Sequence, residues 1–406
     1  MSDVTITPEI QSPSLSAVGA IDELIASCEA VHYDVQLERI AAWKAEDDAR
    51  TAVGYLPVYV PRELLLACGV RPVGLRGGGD QVNTIRGDSF YQSYICHLPR
   101  SVVELGLTSW KQSLDGLIFP AICDVIRNLS GIWQTLFPEQ LTFFLDLPQE
   151  FSSGCGGKFY RRQLEDLACR LTEVSGQAFD EERCREAIVQ YNENSRAIRE
   201  LADIRTEYPA WIPTSEFYLV VRAGDLFEVE EHTALVREYT RLAIERALPA
   251  EDKARILIIG AFCEQPPLNL IKTIEQAGCY VVEDDLTAGH RWLTGDVAVD
   301  GDPIDALVSA YLEKSMYSSV RYEGDEPKTE QLLRTVRERE ASGVLLMSPS
   351  FCDPSLLDRP HFQRALDDAG VPYTSLKYAE NLGQFQTIRE QTGTFAEAIQ
   401  LWGETA

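Results

Sequence analysis

Apolar runs long enough to cross a bilayer are missing from this 406-residue sequence. None approaches the ~20 residues that a membrane span requires. The first stretch, MSDVTITPEIQSPSLSAVGA, lacks the basic patch and unbroken apolar core of a secretion signal. Both absences make the cytoplasm the expected location, with no membrane partner. Basic residues are scarce: 37 Lys and Arg against 63 Asp and Glu leave a net charge of −26. No basic stripe offsets that balance, and nucleic acid is not an expected partner, because phosphate binding needs clustered cations. A polyanionic ligand would need a locally basic pocket. Paired C-x-x-C motifs are absent among the ten cysteines. A zinc ribbon or a thioredoxin-type site is therefore not signalled. In a large protein of a reducing compartment a disulfide framework is also the wrong expectation.

What is present is an alternation of strand and helix patterns. Residues 16–50 repeat apolar groups at three and four, the helical spacing. TAVGYLPVYV is a short β run, and PRELLLACG is a helix with Pro61 at its start and Gly69 at its end. VRPVGL, LDGLIFP and LTFFLDLP read as strands, and CDVIRNLSGIWQTLF as a helix. From about residue 158 the rhythm changes to three long amphipathic helices. At ARILIIG it returns, with CYVVEDD, GVLLMSP and VPYTSLKY as further strands. The expected fold is α/β: two Rossmann-like or flavodoxin-like parallel-sheet lobes with a helical insertion between them. The expected division is N-terminal helices at 1–50, a first lobe at 51–157, a helical segment at 158–250 and a second lobe at 251–406. Two internal echoes join the lobes. LDGLIFPAICD resembles ASGVLLMSPSFCD, and LACGVRPVGL resembles DDAGVPYTSL.

The first echo places Cys123 and Cys352 just past the end of an apolar strand, each followed by Asp and a helical pattern. Ligands of open α/β sheets bind outside the carboxyl ends of the strands. Helix-start N–H groups stabilise a thiolate, so depressed pKa values are expected there. Cys96 in YQSYICHLPRS and Cys263 in AFCEQPP occupy comparable loops. Cys28, Cys169 and Cys184 lie within helical patterns and read as packing residues or bystanders. Residue chemistry alone leaves several readings open. A structural zinc lacks its paired motifs. A cysteine nucleophile needs a histidine base, and His97 is adjacent to Cys96, where neighbours seldom point the same way. A redox disulfide lacks its usual motif. An iron–sulfur cluster needs about four thiolates and can draw them from distant segments. Unrelated structural cysteines are an equal alternative.

Several segments, in order, carry a resemblance. They are VGYLPVYVPRELLLACGVRPVGLRGGG, FYQSYICHLPRSVVELGL, LDGLIFPAICDVIRNLSGIW, FCEQPPLNLIKTIE and the long run from SPSFCDPSLL to GTFAEAI. They resemble the benzoyl-CoA reductase/2-hydroxyacyl-CoA dehydratase family over nearly the whole chain. The likeness is strongest to the smaller cluster-bearing subunit of the ATP-dependent reductases. The resemblance implies a [4Fe-4S] cluster held between two α/β domains by three cysteines, matching Cys96, Cys123 and Cys352 here. It implies pairing with a homologous cluster-bearing subunit. It also implies ATP-hydrolysing iron–sulfur activator subunits, ferredoxin as the upstream donor, and an acyl-CoA substrate. No G-x-x-x-x-G-K-[ST] loop occurs in this chain, consistent with ATP use elsewhere. Cys263 is not among the matched positions.

The implied reaction adds electrons and protons to an aromatic thioester to give a cyclic dienoyl-CoA. It therefore needs a proton donor. His97, Glu264 and Tyr378 are the candidate catalytic residues, as ionisable groups in or near the matched segments. Each has an ordinary alternative. Tyr378 could end a strand, His97 could bond a backbone carbonyl, and Glu264 could cap the helix after Pro266 and Pro267. One departure matters. Dehydratase subunits of the family that bind substrate carry a serine before the P-x-E-L segment and a glutamate after it. Val58 and Arg76 stand there instead. That argues against dehydration by this subunit. Arg76, beside GGG, could meet a CoA phosphate, a plain surface turn being the ordinary reading.

Overall fold

The computed structural model describes residues 15–260, 266–318, 321, 326–379 and 385–402. Helices α1 (Leu15–Tyr33) and α2 (Glu38–Ala45) come first. There follow β1 (Thr51–Tyr55), α3 (Arg62–Ala67), β2 (Val70–Gly74), α4 (His97–Leu105), α5 (Lys111–Ser113), β3 (Gly116–Pro120), α6 (Asp124–Leu136) and β4 (Leu141–Leu145). A helical stretch is next: α7 (Lys158–Ser175), α8 (Glu181–Glu207), α9 (Thr214–Arg222) and α10 (Val229–Arg246). The second lobe runs β5 (Ala254–Ile259), α11 (Leu268–Gln276), β6 (Cys279–Asp284), α12 (Ala288–Arg291), α13 (Pro303–Lys314), α14 (Lys328–Glu338), β7 (Gly343–Pro349), α15 (Asp353–Ala369), β8 (Tyr373–Tyr378) and α16 (Phe385–Trp402). No helix among the described residues is long and apolar enough to cross a membrane.

The strands form two four-stranded sheets, in the orders β2-β1-β3-β4 and β6-β5-β7-β8. Every neighbouring pair is parallel. The expected two parallel-sheet lobes are thus present, and both wind the same way. The inner strands β1, β3 and β7 are buried along their whole length. Strands covered on both faces read as continuous apolar runs, which is why LIFP and VLLM stand out in the sequence.

The sheet orders sort the two echoes. β3 and β7 occupy the same place in their sheets, so LDGLIFPAICD and ASGVLLMSPSFCD are equivalent. The other echo fails: it pairs β2 with β8, which lie at opposite edges. What those segments share is a helix end. Gly69 and Gly370 adopt φ of 69° and 68°, the left-handed conformation glycine takes without a Cβ penalty. The helical segment also holds a shorter helix, α9, beside the three long ones.

The chain laces the lobes together. Ile304, Leu307 and Tyr311 of α13 pack in the core of the first sheet. Ile21 and Cys28 of α1 pack in the core of the second, with α9, α10, α11 and α16. A smaller core of Leu257, Leu332, Leu346, Leu366 and neighbours lies under α14 and α15.

Candidate functional site at the strand ends

The two equivalent strands end in loops of the same length. β3 ends at Pro120, and the chain reaches Cys123 through Ala121 and Ile122. β7 ends at Pro349 and reaches Cys352 through Ser350 and Phe351. Each loop is pinned to the neighbouring edge strand. Ala121 N donates to Leu145 O at 2.9 Å, and Ser350 N donates to Tyr378 O at 2.7 Å. Each cysteine then caps its helix through its carbonyl. Cys123 O accepts from Arg127 N at 3.1 Å, and Cys352 O accepts from Leu356 N at 3.0 Å. Cys96 stands at the N-cap of α4 (φ −57°, ψ 162°), where its carbonyl accepts from the Arg100 side chain at 3.4 Å. The spacing of apolar run, proline and cysteine therefore builds matching thiol-bearing turns in both lobes.

The sulfurs lie close enough to act on one another electrostatically. Burial pushes the Cys123 thiol up to about 11, backbone N–H groups of Ile126 and Val125 pull it down, and Cys352 raises it further. The depressed thiol expected from the helix start is therefore overturned at Cys123. Two N–H groups are too few to offset removal from water. Tyr91 sits by Cys123 and Cys96. Burial raises its phenol, and Cys96 and Cys123 raise it further. Its Oη is buried without a hydrogen-bond partner among the described residues.

The candidate proton donors are spread around these loops. His97 is the first residue of α4 and is buried. Tyr378 is buried at the carboxyl end of β8, beside Pro349 in the strand register. Glu264 lies outside the described residues, as does Cys263. Among the described residues no three His, Cys, Asp or Glu side chains group as ligands of a single metal ion. Two features nonetheless fit a sulfur-ligated group: soft thiols supplied from both lobes, and an orphaned buried hydroxyl beside two of them.

A buried polar tie crosses between the lobes. Arg62 Nη1 lies 2.9 Å from His290 Nδ1. A guanidinium only donates, so Nδ1 accepts and the ring proton is on Nε2. His290 Nε2 then donates to Asp225 Oδ1 at 2.8 Å, while Arg76 Nε donates to Asp225 Oδ2 at 2.7 Å. Burial pushes His290 down to about 4, which keeps the ring neutral despite Asp225. Burial opposes the charge on Asp225, but Arg76 and His290 overcome it and hold its carboxyl well below the usual range. Arg76 is therefore neither on a surface turn nor available to a phosphate. Its RGGG loop instead braces α4. Gly77 has φ 68°, and a Cβ there would stand 2.3 Å from Ser101 Oγ. Gly78 N donates to that hydroxyl at 3.2 Å.

A crevice of about 430 Å³ opens at the carboxyl ends of β5, β6 and β7. Its floor is apolar, with Ile259, Leu346 and Phe362, and its rim is charged. Most rim cations are already paired. Arg339 meets Asp203 at 2.9 Å and Glu283 at 3.1 Å, and Lys328 meets Asp358 at 3.2 Å. Burial disfavours the Glu283 carboxylate, but Arg291, Arg205 and Arg339 outweigh it and bring the group down to about 2. Its folded pKa thus lies below the unfolded value of roughly 4.3. Glu283 contributes stability above that unfolded value and loses it as pH falls toward about 2. In urea titrations at pH 6, 4 and 3, the stability gap between wild type and Glu283→Gln will shrink with each step. A gap independent of pH refutes the assignment.

The fold and these loops define a two-lobed parallel α/β protein with cysteines at equivalent strand ends. The chain belongs to the family described as 2-hydroxyglutaryl-CoA dehydratase, D-component, whose model matches residues 57–399. It is 44% identical over 381 residues to a benzoyl-CoA reductase subunit of Thauera aromatica, covering 94% of this chain and 99% of that protein. It is 26% identical over 368 residues to the beta subunit of (R)-2-hydroxyglutaryl-CoA dehydratase of Acidaminococcus fermentans, covering 89% and 95%. It is 23% identical to the (R)-phenyllactyl-CoA dehydratase beta subunit of Clostridium sporogenes, over 87% and 93%. The family and the subunit type read from the sequence segments are the ones these matches return. Sequence reasoning missed Tyr91 and the Arg62–His290–Asp225–Arg76 tie. Tyr91 lies in YQSYICH, where closeness to Cys96 was a usable signal. The tie draws on four separate segments and has none.

Proposed function

We propose that this chain is the iron–sulfur subunit of an ATP-dependent aromatic acyl-CoA reductase of the benzoyl-CoA type. Cys96, Cys123 and Cys352 hold a [4Fe-4S] cluster between the lobes. When bound, the cluster stores and passes on electrons of low potential. The reading rests above all on Cys123 and Cys352, which occupy equivalent loops of two sheets and act on one another electrostatically. The 44% identity to a benzoyl-CoA reductase subunit supports the reductase assignment. The partners proposed are a homologous cluster-bearing subunit, ATP-hydrolysing iron–sulfur activator subunits, ferredoxin as donor and the acyl-CoA. Exposed apolar side chains next to the cysteine loops support docking of another subunit: Tyr94 is 63% exposed, Phe351 50% and Leu357 72%. His97 and Tyr378 are proposed proton donors, with Glu264 a third.

A second reading has its own support. This chain relays electrons while its partner binds the acyl-CoA, in a complex of the reductase or the dehydratase type. Arg76 is locked to Asp225, and most rim cations of the crevice are neutralised, so few groups remain to take the phosphates of CoA. Addition of benzoyl-CoA to the anaerobically assembled complex separates the two. A change in the reduced-cluster signal of this chain on substrate addition supports contact with substrate. An unchanged signal during turnover supports the relay. A native complex that is fully active with no iron in this chain removes both.

A further inference from the structure

Tyr91 lies near Cys96 and Cys123, yet none of the roles above uses it. It stands five residues before Cys96 in the loop that leads into α4. Its ring packs against the first core, which fixes where the hydroxyl lies. The Oη is buried and has no hydrogen-bond partner among the described residues. Buried phenols ordinarily find one. Both Cys96 and Cys123 are near enough to act on it. An orphan donor beside two sulfurs is complementary to an acceptor held by those sulfurs.

We propose that Tyr91 Oη–H donates a hydrogen bond to the sulfur-bearing group that Cys96 and Cys123 hold, and thereby tunes its reduction potential. The inference rests on the iron–sulfur reading above. A phenol keeps its proton at neutral pH, and it is a single, fixed donor. A neutral thiol is a weak acceptor, whereas a metal-bound thiolate or sulfide carries charge and accepts more strongly. Adding an electron increases that charge. The hydrogen bond therefore favours the reduced state and raises the potential. Its loss makes the group harder to reduce and, once reduced, a stronger donor.

Tyr91→Phe tests this in the whole chain, with its partner where one is needed. The ring and its packing stay, and one O–H group goes. The variant is expected to retain the iron of the wild type. Its one-electron midpoint is expected to fall by a factor of about ten in the reduction equilibrium, which is about 59 mV. An exchangeable deuteron coupled to the reduced cluster in D2O, detected by electron–nuclear double resonance, is expected in wild type and absent in the variant. Tyr373→Phe, at the amino end of β8 and so at the far end of that strand from the cysteine loops, is expected to change neither quantity. An unchanged midpoint and an unchanged coupling overturn the proposal, even where activity is lost. Loss of iron from Tyr91→Phe also overturns it, because a donor that only tunes leaves the group bound. Wild type without iron overturns both this proposal and the reading beneath it, whereas the other failures leave that reading intact.

Discussion

Serine at Cys123 or at Cys352 will strip the anaerobically purified chain of its iron, from about four atoms per chain to near none. Cys28→Ser will keep the full complement. The contrast follows from where each thiol stands. Cys123 and Cys352 sit at equivalent turns of the two lobes, so in the proposed site loss of either takes away the one ligand its loop supplies. Cys28 is buried within the apolar core formed by α1 and the second sheet. Burial alone pushes its thiol up to about 12, with no neighbouring sulfur involved. On the proposed assignment, metal binding at Cys123 displaces a proton held more tightly than in a free cysteine, because burial pushes that thiol up to about 11. Cluster insertion is therefore expected to release protons and to slow as pH falls. Iron and sulfide analysis with the visible absorption of the oxidised protein measures the outcome. Full iron in both serine variants sinks the assignment of these two ligands.

How far the sequence carries this site depends on the range of the signal. Cys123 and Cys352 are legible because a buried strand must be apolar throughout, and proline, cysteine and aspartate follow within a few residues. The common winding of the lobes is legible through the same repeat. α9 is not. Phe217, Tyr218, Leu219, Val220 and Val221 are all buried, so the helix has no polar face to reveal its period. The depressed thiol is a fair local inference from the helix start. It fails because desolvation depends on everything packed around Cys123, which local sequence does not record. The tie through Asp225 escapes for a related reason. It joins Arg62, Arg76 and His290, and each is ordinary in its own segment.

The largest stability effect is expected at Asp284. Arg205 is fully buried, with its guanidinium 3.8 Å from the centre of the Phe217 ring. Its Nη1 lies 2.6 Å from Asp284 Oδ2, and the two side chains are 0% and 1% exposed. The contact is an ion pair rather than an aligned hydrogen bond, since neither atom has a hydrogen-bond partner of good geometry among the described residues. Glu283 is more distant from Arg205, at 3.8 Å, and is engaged by Arg339 at 3.1 Å. Asp284→Ala therefore leaves a cation in the core without its main counter-charge. Removing one partner of a buried pair costs about 3–5 kcal/mol, most of it the uncompensated charge. The same change opens the end of β6, because Asp284 Oδ1 accepts from Thr287 N at 3.3 Å at the turn into α12. Urea denaturation at neutral pH measures the loss. The double variant Arg205→Met, Asp284→Leu removes both charges and fills the space, so it is expected to recover most of the stability. If it is no more stable than Asp284→Ala, the cost lies in the turn rather than in the charge. A loss below about 1 kcal/mol in Asp284→Ala, the range of a surface pair, removes the claim that Asp284 is the main counter-charge of Arg205.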